Sequence, residues 1–276
     1  MTIVEVICSV AILFTFSSSR AYSQIEVNSM NGKLESPDPV VRRSAAKELA
    51  VKEPEAVGNA ILPLLEQGLQ DEDGQVRSYS AAALYRIAWA SGWTEELRRK
   101  HNVKTELVAR PSLKPLLIKA ISDPEEEVRE NAIKALWLGF PPSPDVEASL
   151  TNRFSSEKSP QVRIAIVGAL SEKRYPSARE IVLKALEDPN SDVRGWAAHA
   201  LVQLRPLPPE ALQKLVTRVE TEQELFTKGK FVDAIGAYEE KALPYVAKLE
   251  AMLLTETNLQ IAFTNAIQRI KRATRP

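Results

Sequence analysis

The chain has 276 residues, and its 36 basic and 36 acidic side chains give a formal net charge of zero at pH 7. This balance lacks the basic excess of a nucleic-acid-binding surface, so no nucleic-acid partner is predicted. Cys8 is the only cysteine, which excludes a disulfide within the chain and a zinc site built from several thiolates.

The N-terminus carries the pattern of a secretory signal. Residues 6–16 form a largely apolar run, which is too short to span a bilayer. Ala21 and Ser23 are small residues at the minus-three and minus-one positions of a signal-peptidase site. Residues 1–23 are therefore predicted to be a cleaved signal peptide, and the mature protein to be secreted or periplasmic. A buried N-terminal helix is the alternative, because no Lys or Arg precedes the apolar run.

A Val-Arg pair recurs five times in a fixed context along the chain. In each copy a small or apolar residue follows the valine by four positions, usually an alanine by seven, and a leucine by eight. These offsets place the residues on one face of an α-helix, and the acidic, Ser and Pro residues before the pair are typical of helix starts. The five repeated arginines are Arg42, Arg77, Arg129, Arg163 and Arg194.

A second amphipathic segment precedes most copies. These segments cover residues 54–70, 111–122, 144–156 and 176–187. Each unit is therefore predicted to be a hairpin of two antiparallel helices, which must stack on its neighbours to bury its apolar stripe. The predicted fold is all-α, an α-solenoid (alpha-alpha superhelix) of about six to seven stacked hairpins.

The five copies resemble the HEAT-like repeats first associated with phycobilisome lyases, whose signature is Asp-Pro-x-x-x-Val-Arg-x-x-Ala-x-x-Ala-Leu. The resemblance covers residues 36 to about 204 and implies that the second helix of each hairpin lines a concave face. It also implies an inter-repeat ladder, formed by the acid five residues before each valine and the arginine after it. The implied ladder positions are Asp71 with Arg77, Asp123 with Arg129, Glu157 with Arg163, and Asp188 with Arg194.

The first copy departs from this ladder, because Ser36 stands in the acidic place that belongs to Arg42. A row of five arginines is also compatible with an anion-binding site. The core valine and the acidic partner beside most of the arginines favour the structural ladder.

An insertion of roughly 18 residues separates the second and third copies, at about residues 91–110. It carries an aromatic residue and a basic cluster, which are residue types favoured at binding hot spots and on functional loops. The predicted protein-binding residues are Trp93, Arg98, Arg99, His101 and Lys104. The alternative is a solvated spacer with Trp93 packed on the adjacent helix. Tyr79, Trp137 and Trp196 lie on second helices, where some are expected to face the groove and most to be core.

The signature fades from Pro206 onward, although helical periodicity continues. Leu259-Gln260, with Phe263, Ala266 and Ile267, repeats the spacing with Gln in place of Arg. A degenerate unit around 231–238 also looks like half of a tetratricopeptide unit. The basic residues at the C-terminal end complement the dipole of the last helix, and binding of an acidic partner is the alternative.

The predicted organisation follows from these boundaries. Residues 1–23 are a signal peptide, 24–35 an N-terminal segment, 36–205 HEAT-like repeats with the insertion, and 206–276 degenerate repeats with a C-terminal cap. Beyond residue 24, no apolar stretch reaches the length of a membrane span.

Two relatives of the repeat family are enzymes: chromophore lyases, and deoxyhypusine hydroxylase, whose His-Glu pairs hold two irons. The only histidines here are His101 and His199, and neither is followed by Glu. No metal site, cofactor or catalytic residue is therefore predicted, and the sequence contains no P-loop, dinucleotide fingerprint or nucleophile elbow. The predicted function is a non-catalytic scaffold that binds a protein or peptide partner. One alternative is a lyase-like or small-ligand-binding repeat protein, and another is a structural module in a cell-envelope assembly.

Overall fold

A computed structural model describes residues 24–51, 59–91, 107, 110–204 and 206–273. Every regular element within these ranges is a helix, and the predicted all-α fold of stacked helical hairpins is confirmed. None of these helices is both long enough and apolar enough to cross a membrane. The predicted signal peptide and the predicted binding residues of the insertion lie outside the described residues.

The chain divides into two compact units, Met1–Arg153 and Phe154–Pro276. The described residues of the first unit form three helical hairpins, and a short 3-10 turn at Asn59–Ile61 leads into the second of them. The helices of these hairpins are α1 (Gln24–Leu34) with α2 (Pro39–Val51), α3 (Leu62–Gly68) with α4 (Gly74–Ser91), and α5 (Leu113–Ala120) with α6 (Glu126–Gly139).

The division between the units falls within α7 (Pro144–Ser156). The second unit continues with helix α8 and three further hairpins, and 3-10 turns at Glu239–Tyr245 and Thr257–Leu259 flank its penultimate helix. These helices are α8 (Pro160–Glu172), α9 (Ala178–Ala185), α10 (Ser191–Gln203), α11 (Pro209–Thr221), α12 (Leu225–Gly236), α13 (Val246–Thr255) and α14 (Gln260–Ala273).

The second helices of neighbouring hairpins pack on one another within each unit. In the first unit, α2, α4 and α6 pack in sequence, and in the second unit α8, α10, α12 and α14 do the same. The signature valine explains this packing, since it is fully buried in four of the five copies, at Val76, Val128, Val162 and Val193. The side-chain oxygen of Ser159 accepts the N–H of Val162, and that of Asn190 accepts the N–H of Val193, so each helix begins just before its signature.

The degenerate C-terminal region keeps the register of the earlier repeats. Thr227 occupies the valine position, and Phe231, Ala234 and Ile235 follow it at the expected offsets. All four side chains are fully buried. The hairpin of α11 and α12 is therefore built on the same helical face as the recognisable copies.

Two described residues of the insertion are anchored in the first unit. Leu107 is fully buried, and a Cβ on Gly139 would lie 2.8 Å from Leu107 Cδ1. Arg110 forms an ion pair with Glu66. The end of the insertion thus packs on α6 through Leu107 and is tied to α3 through Glu66.

The arginine ladder and a candidate protein-binding surface

The arginine of each signature closes the turn of its own hairpin. Arg163 Nη1 donates to the backbone carbonyl oxygens of Glu157 and Lys158 at 3.2 and 2.8 Å. These carbonyls lie between α7 and α8, where no helical N–H reaches them. The same pair of bonds, to the residues six and five positions earlier, is made by Arg42, Arg77, Arg129 and Arg194.

The remaining donors of the guanidinium reach the next hairpin. Arg163 Nε and Nη2 donate to Asp188 Oδ2 and Oδ1, both at 2.7 Å. These two side chains are only 10 % and 7 % exposed, and their geometry is bidentate. The corresponding pairs are Arg42 with Asp71 and Arg77 with Asp123 in the first unit, and Arg194 with Glu222 in the second.

Each ladder acid contacts two arginines through different groups, one through its side-chain carboxylate and the other through its backbone carbonyl. The carboxylate of Asp188 binds Arg163 of the preceding hairpin, whereas Arg194 of its own hairpin binds its backbone carbonyl at 2.8 Å. Asp188 Oδ1 also accepts the N–H of Asn190 at 2.9 Å, just before α10 begins. The donors of these arginines are filled by protein groups, which favours a structural role over anion binding.

One ladder residue was missed by the sequence analysis. Lys228 takes the arginine position of α12, is 7 % exposed, and its Nζ donates to Glu256 Oε1 at 2.7 Å. The available signal was the offset of Lys228 from Arg194, which equals one repeat length, together with the buried residues after Thr227. A search restricted to Val-Arg pairs does not detect a Thr-Lys pair.

Aromatic and charged side chains form a partly exposed cluster on α10 and α12, hereafter the aromatic patch. Its members are Trp196, His199, Phe226, Lys230 and Asp233. The Trp196 ring lies edge-on to His199, with centroids 5.7 Å apart, and 6.2 Å from the centroid of Phe226. Lys230 Nζ lies 5.5 Å from the centroid of the Phe226 ring, within cation–π range. Phe226 is 47 % exposed, so the patch presents an aromatic face to solvent.

Burial and neighbouring charge perturb the titrating groups of the patch. Burial lowers the pKa of His199, and the positive charge of Lys230 lowers it further. His199 Nε2 is buried and has no hydrogen-bond partner among the described residues. Partial desolvation of its carboxyl raises the pKa of Asp233, although the residue as a whole is exposed, and Lys230 opposes this shift. Lys230 forms no ion pair with any described residue, but its charge acts on the nearby carboxyl of Asp233.

The depressed pKa of His199 predicts a loss of stability in mild acid. Because the folded-state pKa lies below the ordinary value of 6.5, the unfolded chain binds the proton more readily. The free energy of unfolding therefore falls as pH drops through 6.5 toward the folded-state pKa. Urea unfolding at about pH 7.5 and about pH 5.5 measures this fall, and His199→Leu is expected to reduce it. Identical pH profiles for the variant and the parent would show that His199 is not the group responsible.

The aromatic residues of the first unit do not form a comparable exposed cluster among the described residues. Lys134 Nζ lies 5.2 Å from the centroid of the Tyr85 ring and also pairs with Glu130 at 2.6 Å. Trp137 is 5 % exposed and belongs to the core, whereas Tyr79 is partly exposed. Of the three second-helix aromatics considered from the sequence, Tyr79 and Trp196 reach the surface and Trp137 does not.

The residues predicted for protein binding in the insertion are not among the described ones. Trp93, Arg98, Arg99, His101 and Lys104 all fall in the range 92–106, whose structure is not described. Within the described part of the chain, no group of three or more His, Cys, Asp or Glu side chains could hold a metal ion.

The stacked hairpins and the ladder between them define an α-solenoid repeat protein. The chain belongs to the HEAT repeat family: HEAT repeats are matched over residues 146–236, and single HEAT repeats over 61–88 and 113–137. The first match extends through α12, so it includes the hairpin in which Lys228 replaces arginine.

Two solved structures, each with a TM-score of 0.55, show the same fold at low sequence identity. The chain is 20 % identical to an engineered protein, covering 89 % of this chain and 68 % of that one, with a TM-score of 0.55. It is 16 % identical to YibA of E. coli, covering 93 % and 100 %, with a TM-score of 0.55. A computationally designed armadillo repeat protein for modular peptide recognition is 21 % identical, covering 77 % and 99 %, with a TM-score of 0.49. A search of the curated proteins gave no match.

Proposed function

We propose that this HEAT-repeat chain is a non-catalytic scaffold that binds a protein or peptide partner outside the cytoplasm. The observation that supports binding is the aromatic patch, in which a partly exposed Trp196 and Phe226 adjoin Lys230. Tryptophan is enriched at interface hot spots. An apolar side chain of the partner can pack on the two rings, and a carboxylate of the partner can form an ion pair with Lys230.

The hydrogen-bond donors of the ladder arginines are already used within the protein, which favours the aromatic patch as the binding surface. Arg163 donates to a backbone carbonyl and to Asp188. Arg194 donates to a backbone carbonyl and to Glu222. A partner that displaced them would leave buried carboxylates without counter-charges. The exposed faces of α10 and α12 are available without that cost, so binding is proposed there and not in the turns that hold the ladder.

Removal of the patch is expected to weaken partner binding by at least about tenfold. The variant carries Trp196→Ala and Lys230→Ala, which delete one aromatic face and the cation beside Phe226. Partners are captured from the native cell envelope, identified by mass spectrometry, and their affinities are then measured with purified components. The matched control is Leu254→Ala with Lys241→Ala, which removes an exposed apolar side chain and an exposed lysine elsewhere in the same unit.

A second variant tests the insertion in the same experiment. It carries Trp93→Ala, Arg98→Ala and Arg99→Ala. Loss of the partner in this variant alone would move the binding site from the patch to the insertion. Retention of full affinity in both variants would contradict both assignments, and co-purification of a small molecule without a protein partner would contradict the scaffold itself.

Export is supported by the N-terminal pattern. The apolar run 6–16 and the small residues Ala21 and Ser23 predict that the protein isolated from its natural host begins at Gln24. N-terminal sequencing and intact mass test this expectation. Ala21→Leu with Ser23→Leu is expected to leave the precursor uncleaved, because bulky residues do not fit the peptidase subsites. A protein that keeps residues 1–23 and stays in the cytoplasm would show that export is wrong.

A further inference from the structure

A small cavity opens in the second unit, between the loops that follow α8 and α10. Its volume is about 210 Å³, below the roughly 300–1,000 Å³ of pockets that bury a drug-sized ligand. The cavity is therefore suited to one small chemical group. Two arginines, an amide and an apolar wall line it, including Arg174, Arg179, Gln203, Tyr175, Leu204 and Pro208.

Arg174 has a backbone conformation that is unfavourable for a residue with a side chain. Its φ is 55°, in the left-handed region that glycine usually occupies after a helix. The N–H of Arg174 donates to the carbonyl oxygen of Ser171 at 3.1 Å, and that of Tyr175 donates to Leu170 at 3.0 Å, so this turn ends α8. The end of the helix explains the backbone conformation, but it does not explain an arginine in place of glycine.

A later hairpin carries a charged residue at the equivalent position. Glu239 lies twelve residues after Thr227, as Arg174 lies twelve residues after Val162, and its φ is 53°. The Oε1 atom of Glu239 lies 3.1 Å from Nη2 of Arg269, on the following second helix. The charge of this left-handed residue is therefore neutralised within the protein.

The corresponding pair at the cavity lacks its acid. Gln203 lies ten residues after Val193, as Arg269 lies ten residues after Leu259, so Gln203 is the counterpart of Arg269 and is neutral. Among the described residues, the side chains of Arg174 and Gln203 have no hydrogen-bond or ion-pair partner. The cavity thus has a cation at a position whose counterpart is paired.

A second arginine and an apolar wall complete the cavity. Arg179 Nε lies 3.4 Å from Glu210 Oε1, and both side chains are about half exposed, so solvent screens this pair. Tyr175 and Pro208 are buried. The hydroxyl of Tyr238 donates to the carbonyl oxygen of Pro208, which holds this part of the wall near the end of α12.

We propose that the cavity binds a carboxylate carried on a small apolar body. The guanidinium of Arg174 forms paired hydrogen bonds with the carboxylate, and the amide of Gln203 donates another. The apolar body packs on Tyr175 and Pro208. Two sources share this chemistry, the C-terminal residue of a peptide and a free organic acid. The site is separate from the aromatic patch and does not rest on the proposed function.

Titration of the purified protein with N-acetyl-leucine tests the site, and N-acetyl-leucine amide is the neutral control. The acid is expected to bind with a Kd on the order of 1 mM and to shift the NMR signals of the Gln203 side-chain amide. The neutral amide, and the acid with Arg174→Gln, are each expected to bind at least about tenfold more weakly. Glu239→Gln, at the equivalent position, is expected to leave the Kd of the acid unchanged. Equal binding of acid and amide, or an unchanged Kd in Arg174→Gln, would overturn the proposal.

Two further variants separate loss of binding from loss of the fold. Gln203→Glu supplies the missing carboxylate within the chain, so it is expected to abolish binding of the acid without lowering Tm. Arg174→Gly removes the cation and relieves the left-handed backbone, so it is expected to weaken binding while Tm rises. A lower Tm in both variants would assign Arg174 a purely structural role and contradict the proposal.

Other probes identify the source of the carboxylate. Because 4-methylpentanoate lacks the peptide group, tighter binding of N-acetyl-leucine would assign the cavity to peptide C-termini. Equal or tighter binding of 4-methylpentanoate would assign it to free organic acids. Inorganic phosphate that binds as tightly as either acid would overturn the carboxylate assignment. Trp196→Ala with Lys230→Ala is expected to leave these affinities unchanged, so a failure of the aromatic patch is measured separately.

Discussion

Arg163→Ala is expected to lower the free energy of unfolding by about 3–5 kcal/mol, as measured by urea denaturation. Arg163 and Asp188 are both buried, and the variant leaves the Asp188 carboxylate without its counter-charge. The carbonyl oxygens of Glu157 and Lys158 also lose their donor. The effect is large because a single side chain joins two hairpins and closes the turn within one of them.

Arg43→Ala is the matched control. Arg43 also pairs with the next hairpin, through Nη2 to Asp73 Oδ2 at 2.5 Å, but its side chain is 47 % exposed. Solvent screens such a pair more than the buried one, so its loss is expected to cost clearly less than the loss of Arg163. Equal losses for the two variants would contradict the argument from burial.

A double-mutant cycle separates the pair from its surroundings. Asp188→Asn keeps an oxygen that can accept the N–H of Asn190 but removes the charge that Arg163 meets. Combined with Arg163→Ala, it is expected to show a coupling free energy above about 1 kcal/mol. Purely additive effects would assign the stabilisation to the carbonyl contacts of Arg163 alone.

The helical face of each repeat was predictable from the sequence, because burial follows the spacing of the residues themselves. Val162, Ile166, Ala169 and Leu170 lie at offsets that share one side of a helix, and all four are buried in α8. The positions of the ladder came from the resemblance to HEAT-like repeats and not from spacing. That resemblance did not give the partners, since the carboxylate that meets Arg163 lies on another hairpin, at Asp188.

The aromatic patch depends on the register between α10 and α12, which the spacing of residues within one helix does not give. Trp196 meets Phe226 only because α12 begins a few residues before its ladder position Lys228, and α10 packs beside it in a fixed register. That register becomes visible once Lys228 is recognised as the counterpart of Arg194. Leu107 was also unforeseen, because an apolar residue within a polar insertion does not identify the helix it packs on.

Gly236→Ala is expected to lower the free energy of unfolding by about 1–3 kcal/mol through separation of two second helices. A Cβ on Gly236 would lie 2.9 Å from Ala266 Cα, a backbone atom of α14. No rotamer change relieves that contact, so α12 and α14 must move apart. Alanine also favours the helix by about 1 kcal/mol relative to glycine, and the net loss means that the clash exceeds this gain.

Gly32→Ala distinguishes the clash from helix propensity. Gly32 lies within α1 and is exposed, and a Cβ added to it would have no heavy atom within 4 Å. The same chemical change there is expected to raise the free energy of unfolding by about 0.5–1 kcal/mol. Hydrogen exchange should localise the Gly236→Ala effect to the hairpin of α13 and α14, because those helices lose their packing partner first. Stabilisation by both substitutions would mean that α12 and α14 do not approach closely at Gly236.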